Sequence, residues 1–208
     1  VVWNSALLKS AKLIFPMLIF SVFFAEPIMT CMYGDIYAQS SIYFVIKNLS
    51  GLFYIIPFYP IILAIGKTNS YANAHMIAAF MIVIAEYVVC KTFDSAVYVA
   101  ITSELCNLVK IWLLLRVIAN YAHMKITELL PPKPMTILIM ISALASLPPF
   151  LLLDFLNMNK FIVLFVCLGF FLVDYYVLCW ICKVTYRDIA GGFLKNKSRL
   201  NAVVKILP

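Results

Sequence analysis

The chain has 208 residues, of which 65% are apolar and only 12% charged, with a mean hydropathy of +1.02. One soluble core cannot bury that much apolar surface, so the composition excludes a water-soluble globular domain and makes the bilayer the solvent. A net charge of +7 would suit nucleic acid in a soluble protein. Here the basic residues sit in particular loops, where they read as topology signals and lipid-headgroup contacts and not as a nucleic-acid surface.

About twenty predominantly apolar residues cross the hydrocarbon core, and the backbone must satisfy its hydrogen bonds inside each crossing. Six segments qualify as transmembrane helices, so the expected fold is all-α and polytopic. A barrel would need short alternating strands, and runs such as Ile111–Leu115 do not alternate. The opening residues, Val-Val-Trp-Asn, carry neither an initiator Met nor a signal peptide, so the chain is expected to be part of a longer one.

The first span covers Leu7–Ala25, with Pro16 at its middle, and ends at Glu26-Pro27. A hydrophobic lead-in reaches a Tyr33-Gly34-Asp35 turn, and the chain returns through Ser41–Ile65 to a Gly66-Lys67-Thr68 bend. Pro16, Pro57 and Pro60 each remove a backbone donor and favour a kink. The third span is Tyr71–Cys90 and the fourth Ala96–Ile118. Pro131-Pro132-Lys133-Pro134 is expected to stop a helix and form a stiff connector, dividing four helices in 1–130 from two more in 131–182. Those two are Thr136–Leu153 and Phe161–Cys182. A basic tail over 183–208 follows, broken by Gly191-Gly192. Its Leu200, Val203, Val204 and Leu207 form an apolar face suited to an interfacial helix or, alternatively, to a partly disordered tail.

Loop charges orient the hairpins. With a cytoplasmic N-terminus, one side receives Lys9, Lys12, Lys67, Arg116, Lys125, Lys133, Lys183, Arg187, Lys195, Lys197, Arg199 and Lys205, and the other only Lys91 and Lys160. Glu26, Asp35, Asp94 and Asp154 lie on that second side. The positive-inside bias therefore predicts that both ends of the chain are cytoplasmic.

Charged groups at membrane depth cost roughly 2.5 kcal/mol or more each, so each invites a functional hypothesis. Lys47 and Asn48 lie about two turns into the second span. Ser103, Glu104, Asn107 and Lys110 recur at three- and four-residue steps and form one polar stripe on the fourth. Lys47, Asn48, Asn107 and Lys110 are candidate cavity residues, the two ammonium groups suited to an anionic headgroup such as a diphosphate. Asp174, near the middle of the sixth span, is a candidate proton or cation site, or the partner of a lysine. Glu86 and Glu104 lie close to the outer boundary and are expected to snorkel. The alternative throughout is that these groups pair with one another.

No enzyme signature is present: there is no G-x-S-x-G, H-E-x-x-H or D-x-D, and the loops are too short for a soluble catalytic domain. His75 and His123 lack metal-ligand spacing, and no metal or cofactor is expected. Cys31, Cys90, Cys106, Cys167, Cys179 and Cys182 lack framework spacing and read as small apolar core residues.

The first hairpin carries a more specific pattern. Ala25, Pro27 and Ile28 close one helix, Tyr33, Gly34, Tyr37 and Ser40 open the next, and Ala64, Gly66, Lys67 and Thr68 close that one. This resembles the polysaccharide transporters of the Wzx type, within the multidrug/oligosaccharidyl-lipid/polysaccharide exporter superfamily. The likeness runs from about Leu7 to Pro132; after the third span, Lys91-Thr92-Phe93-Asp94 stands where such proteins often have a glycine-rich turn. It implies the C-terminal part of a two-lobed flippase that turns an undecaprenyl-diphosphate-linked oligosaccharide across the bacterial inner membrane by alternating access, for O-antigen or other surface polysaccharide. Membrane lipids, a polysaccharide polymerase and chain-length machinery are the implied partners. A drug/cation antiporter of the same superfamily, a non-transporting scaffold and a glycan-assembly enzyme are the competing functions.

Overall fold

With no water in hydrocarbon to bond exposed amides, a chain of this hydropathy folds into helices that close their own hydrogen bonds. The computed structural model describes residues 2–53, 55–130, 132–153, 159–182 and 184, and every regular element among them is a helix. Among the described residues, six spans are long and apolar enough to cross a membrane: Ala6–Phe23, Asp35–Ala64, Thr68–Thr92, Ala96–Ala122, Pro132–Leu152 and Lys160–Ile181. The chain is an all-α polytopic membrane protein. We call the end where its first helix begins proximal, and the opposite end distal.

Helix α1 (Val2–Phe23) runs on through Pro16. Proline at that point deprives the Lys12 carbonyl, four residues back, of its usual N–H donor. The Tyr175 hydroxyl, from the last helix, donates to that carbonyl at 3.4 Å. Only Phe24 separates α1 from α2 (Ala25–Tyr33), so the lead-in is itself helical. Pro27 falls in its first turn, where a missing N–H leaves no bond unmade. Gly34, at φ 95°, supplies the expected turn, and a 3-10 segment over Asp35–Ser40 leads into the return span.

The return span differs from the single kinked helix expected over Ser41–Ile65. It is α3 (Ser41–Leu49), then a 3-10 turn over Ser50–Phe53, then a break closed by Pro57, then α4 (Phe58–Ala64). A Cβ on buried Gly51 would stand 2.9 Å from Leu18 Cδ2, so the interruption is pressed against α1. Gly66, at φ 69°, ends α4 in a Schellman arrangement: its N–H donates to Leu63 O and that of Lys67 to Ile62 O, each at 3.0 Å.

Helices α5 (Thr68–Thr92) and α6 (Ala96–Ala122) form an antiparallel pair. His123 caps α6 in the left-handed region at φ 53°, a place usually taken by glycine. A short α7 (Ile126–Leu129) leads to α8 (Pro132–Leu152) and α9 (Lys160–Ile181). Pro132 and Pro134 begin α8 instead of standing outside it as a connector, because the first helical turn tolerates proline. Pro131, Asp154 and the tail from residue 183 onward, Val184 excepted, lie outside the described residues, and the tail's expected interfacial helix with them.

α8 packs against both α1 and α9 through a face of fully buried Ser142, Ala145, Ser146 and Pro149. Small side chains let the helices approach closely, and the two serine hydroxyls donate to the Leu138 and Ser142 carbonyls at 2.7 and 2.9 Å. Two apolar clusters result. The proximal one joins Leu7, Ala11 and Phe15 of α1 to Ile111, Leu114 and Ile118 of α6. The distal one stacks Phe20 and Phe24 against Phe171, Cys167 and Val163 of α9. At the distal rim, Lys160 pairs with Asp35 and ties α9 to the start of the return span.

Candidate functional site

The interruption of the return span places Lys47 in the last turn of α3, facing α6. Its Nζ lies 2.6 Å from Glu104 Oε1. The Asn107 amide, one turn along α6, donates to Glu104 Oε2 at 3.4 Å. Fully buried Ser50 donates from its hydroxyl to Lys47 O at 3.2 Å and also lies beside the Glu104 carboxylate, so one proton has two available acceptors. Ser50, the first residue of the 3-10 segment, thus belongs to the site.

The two charges are unequally covered. The Glu104 side chain is 8% exposed and that of Lys47 66% exposed. A carboxylate removed from water needs both a countercharge and donors for its lone pairs, and here an ammonium, an amide and a hydroxyl stand around it. The ammonium stays accessible at the wall of an open groove of about 540 Å³, lined by Met29, Tyr43, Phe44, Lys47, Ser103 and Glu104. Chemically, the arrangement can hold or release one proton or cation at the carboxylate. It can also present the exposed Lys47 ammonium to an anion in the groove.

Of the residues singled out in the sequence, Lys47 and Asn107 are brought together, and Glu104 is what joins them. Glu104 does not snorkel: it is buried, because Lys47 meets it from α3. The three- and four-residue stripe on α6 held the signal for it, but the partner came from another helix. Asn48 does not join the site; its amide donates to Phe44 O at 2.9 Å within α3. Lys110 is half-buried six residues farther along α6, about 9 Å by helical rise, and makes no ion pair among the described residues. Asp174 is half-buried on α9, which packs on α8, α2 and α1, and it too makes no ion pair among the described residues. All six cysteines are free thiols, and no group of three or more His, Cys, Asp and Glu residues able to hold a metal occurs among the described residues.

Comparison with protein-family models, with curated proteins and with solved structures finds no match for this chain.

Proposed function

We propose that this chain is part of a transporter that flips an undecaprenyl-diphosphate-linked oligosaccharide from the cytoplasmic to the periplasmic leaflet of the bacterial inner membrane. The observation that carries this reading is an ionised pair, Lys47 and Glu104, set on a membrane span that is broken at that depth. Discontinuous spans with charged groups at their broken ends are what membrane transporters use to hold and pass polar cargo. Two turn glycines of the first hairpin, Gly34 and Gly66, have the positive φ their places in the resembled motif need, which supports the same reading. On this reading the proximal end is cytoplasmic, the distal end periplasmic, and the lipid tail of the cargo stays in the bilayer while its headgroup crosses along the helices.

A second reading has its own support. Because Glu104 already partners Lys47, the pair also suits the exchange of a proton or cation, as in a drug/cation antiporter of the same superfamily. Replacing Lys47 and, separately, Glu104 by Gln in the intact protein, in its own cells, separates the two. Loss of surface polysaccharide with accumulated lipid-linked precursor, at normal protein level, is the expected result. Unchanged surface polysaccharide with lost drug efflux moves the assignment to the antiporter, and no change in either removes the pair from transport.

A further inference from the structure

At the distal end of the bundle, α1, α2, α3, α8 and α9 all contribute to one cavity of about 650 Å³. Small-ligand sites occupy about 300–1,000 Å³. The depth of the cavity follows from where its residues stand on the spans. Val22 and Phe23 end α1, Phe150 and Leu151 belong to the last turn of α8, and Lys160 begins α9. Spans cross the hydrocarbon between their ends, so a cavity built from those ends lies where headgroups meet hydrocarbon. Tyr33 and Tyr37, exposed on the adjoining turn with their rings 5.8 Å apart, are side chains of the kind that anchor at this interface. The cavity wall has two parts. Val22, Phe150, Leu151 and Val163 are apolar, with Phe150 and Leu151 exposed, and Glu26, Thr30, Asp35 and Lys160 are polar.

The polar part holds two carboxylates and one ammonium. Lys160 pairs with Asp35, and Glu26 joins no ion pair among the described residues. Glu26 and Thr30 stand four residues apart on α2 and so share a face of that helix. The Thr30 hydroxyl donates to the Glu26 and Pro27 carbonyls at 2.9 and 3.2 Å, which leaves its oxygen as an acceptor. A carboxylate and a hydroxyl oxygen side by side match a primary ammonium, which brings both charge and N–H donors. A quaternary ammonium brings the charge alone. Lys160 spends one donor on Asp35 and keeps others for a phosphate oxygen. An anionic lipid without an ammonium would bring only negative charge to a cavity that already holds two carboxylates. An ammonium and a phosphate on one molecule, attached to hydrocarbon, are what an aminophospholipid supplies.

We infer that this distal cavity seats a phospholipid with a phosphoethanolamine headgroup, its ammonium at Glu26 and Thr30 and its phosphate at Lys160. Its acyl chains leave over Phe150 and Leu151 into the bilayer. The occupant is a resident lipid and not transported cargo, so the site stands or falls apart from the flippase reading. Intact protein, purified in mild detergent, is mixed with equimolar dioleoyl phosphatidylethanolamine, phosphatidylcholine and phosphatidylglycerol, and retained lipid is read by native mass spectrometry. Wild type should retain phosphatidylethanolamine about fivefold over either of the others. Glu26→Gln should remove that preference, and Glu26→Asp, which keeps the charge, should preserve most of it. Lys160→Gln should weaken phosphatidylethanolamine and phosphatidylcholine together, because both carry the phosphate. Lys47→Gln, in the other groove, should change retention by less than about twofold. Glu26 and Lys160 are exposed, so these replacements leave the packed core intact. Equal retention of the three lipids, a preference for phosphatidylglycerol, or an unchanged preference in Glu26→Gln overturns the site. Soluble glycerophosphoethanolamine is the last probe. Failure to displace the bound lipid at equal concentration supports a lipid site, and full displacement overturns it in favour of a free headgroup compound.

Discussion

Lys47 and Glu104 are 57 positions apart in the sequence, yet Nζ and Oε1 meet at 2.6 Å and join α3 to α6. Hydrogen bonds to charged groups contribute about 1.5–3 kcal/mol, and a charge stripped of its partner inside a bilayer also loses its compensation. Glu104→Gln should therefore lower thermal stability in detergent by an amount equivalent to about 2 kcal/mol. The exchanged pair, Lys47→Glu with Glu104→Lys, should recover part of that loss. A Glu104→Gln variant that melts with wild type shows that the pair adds nothing to the fold.

Tyr175 and Pro16 form a second coupled pair, through the Lys12 carbonyl. Removing the hydroxyl in Tyr175→Phe takes that hydrogen bond from the carbonyl, and the expected loss is about 1–2 kcal/mol. In a Pro16→Ala background the helix supplies its own N–H, so the same change should cost far less. A double-mutant cycle reads the difference, and equal effects in both backgrounds would refute the coupling.

His123 holds a left-handed conformation that L side chains adopt at a penalty. His123→Gly should raise stability by about 1 kcal/mol, measured as an upward shift in melting temperature. A downward shift would mean that the imidazole contributes more than the backbone gains.

Gly51 is the reverse case, limited by space and not by φ. Its added Cβ meets the end of the Leu18 side chain at 2.9 Å. Alanine should be absorbed by rotation of that leucine. Gly51→Val should destabilise by about 1–3 kcal/mol, and Leu18→Ala should relieve it. Proteolysis within the 50–57 segment, compared across the variants, reports whether the interruption has loosened.

How much could be read beforehand follows the range of the forces involved. The six spans were legible because burial in hydrocarbon acts on about twenty residues at once, and the turn at Gly34 and the bend at Gly66 because glycine marks them locally. The interruption of the return span was only half legible. Pro57 and Pro60 announced a disturbance, but the 3-10 turn begins at Ser50, where Gly51 fits against Leu18 of another helix. Glu104 was misjudged for the same reason. Its depth suggested snorkelling, and only the approach of α3 showed that a lysine would meet it. The line of ring contacts from Tyr59 through Tyr71 to His75 was illegible, since no local period links a residue of α4 to two of α5.

The broken return span has a mechanical consequence. A continuous helix transmits tilt along its length as a rigid rod, whereas α3 and α4 are two separate rods, with Ser50, Ile55 and Ile56 buried between them. Lys47 belongs to α3, on the distal side of that stretch, and Tyr59 to α4, on its proximal side. The Tyr59–Tyr71 ring contact and the 2.6 Å ion pair therefore hang on different rods, and a tilt of α4 would alter the first without requiring a change in the second.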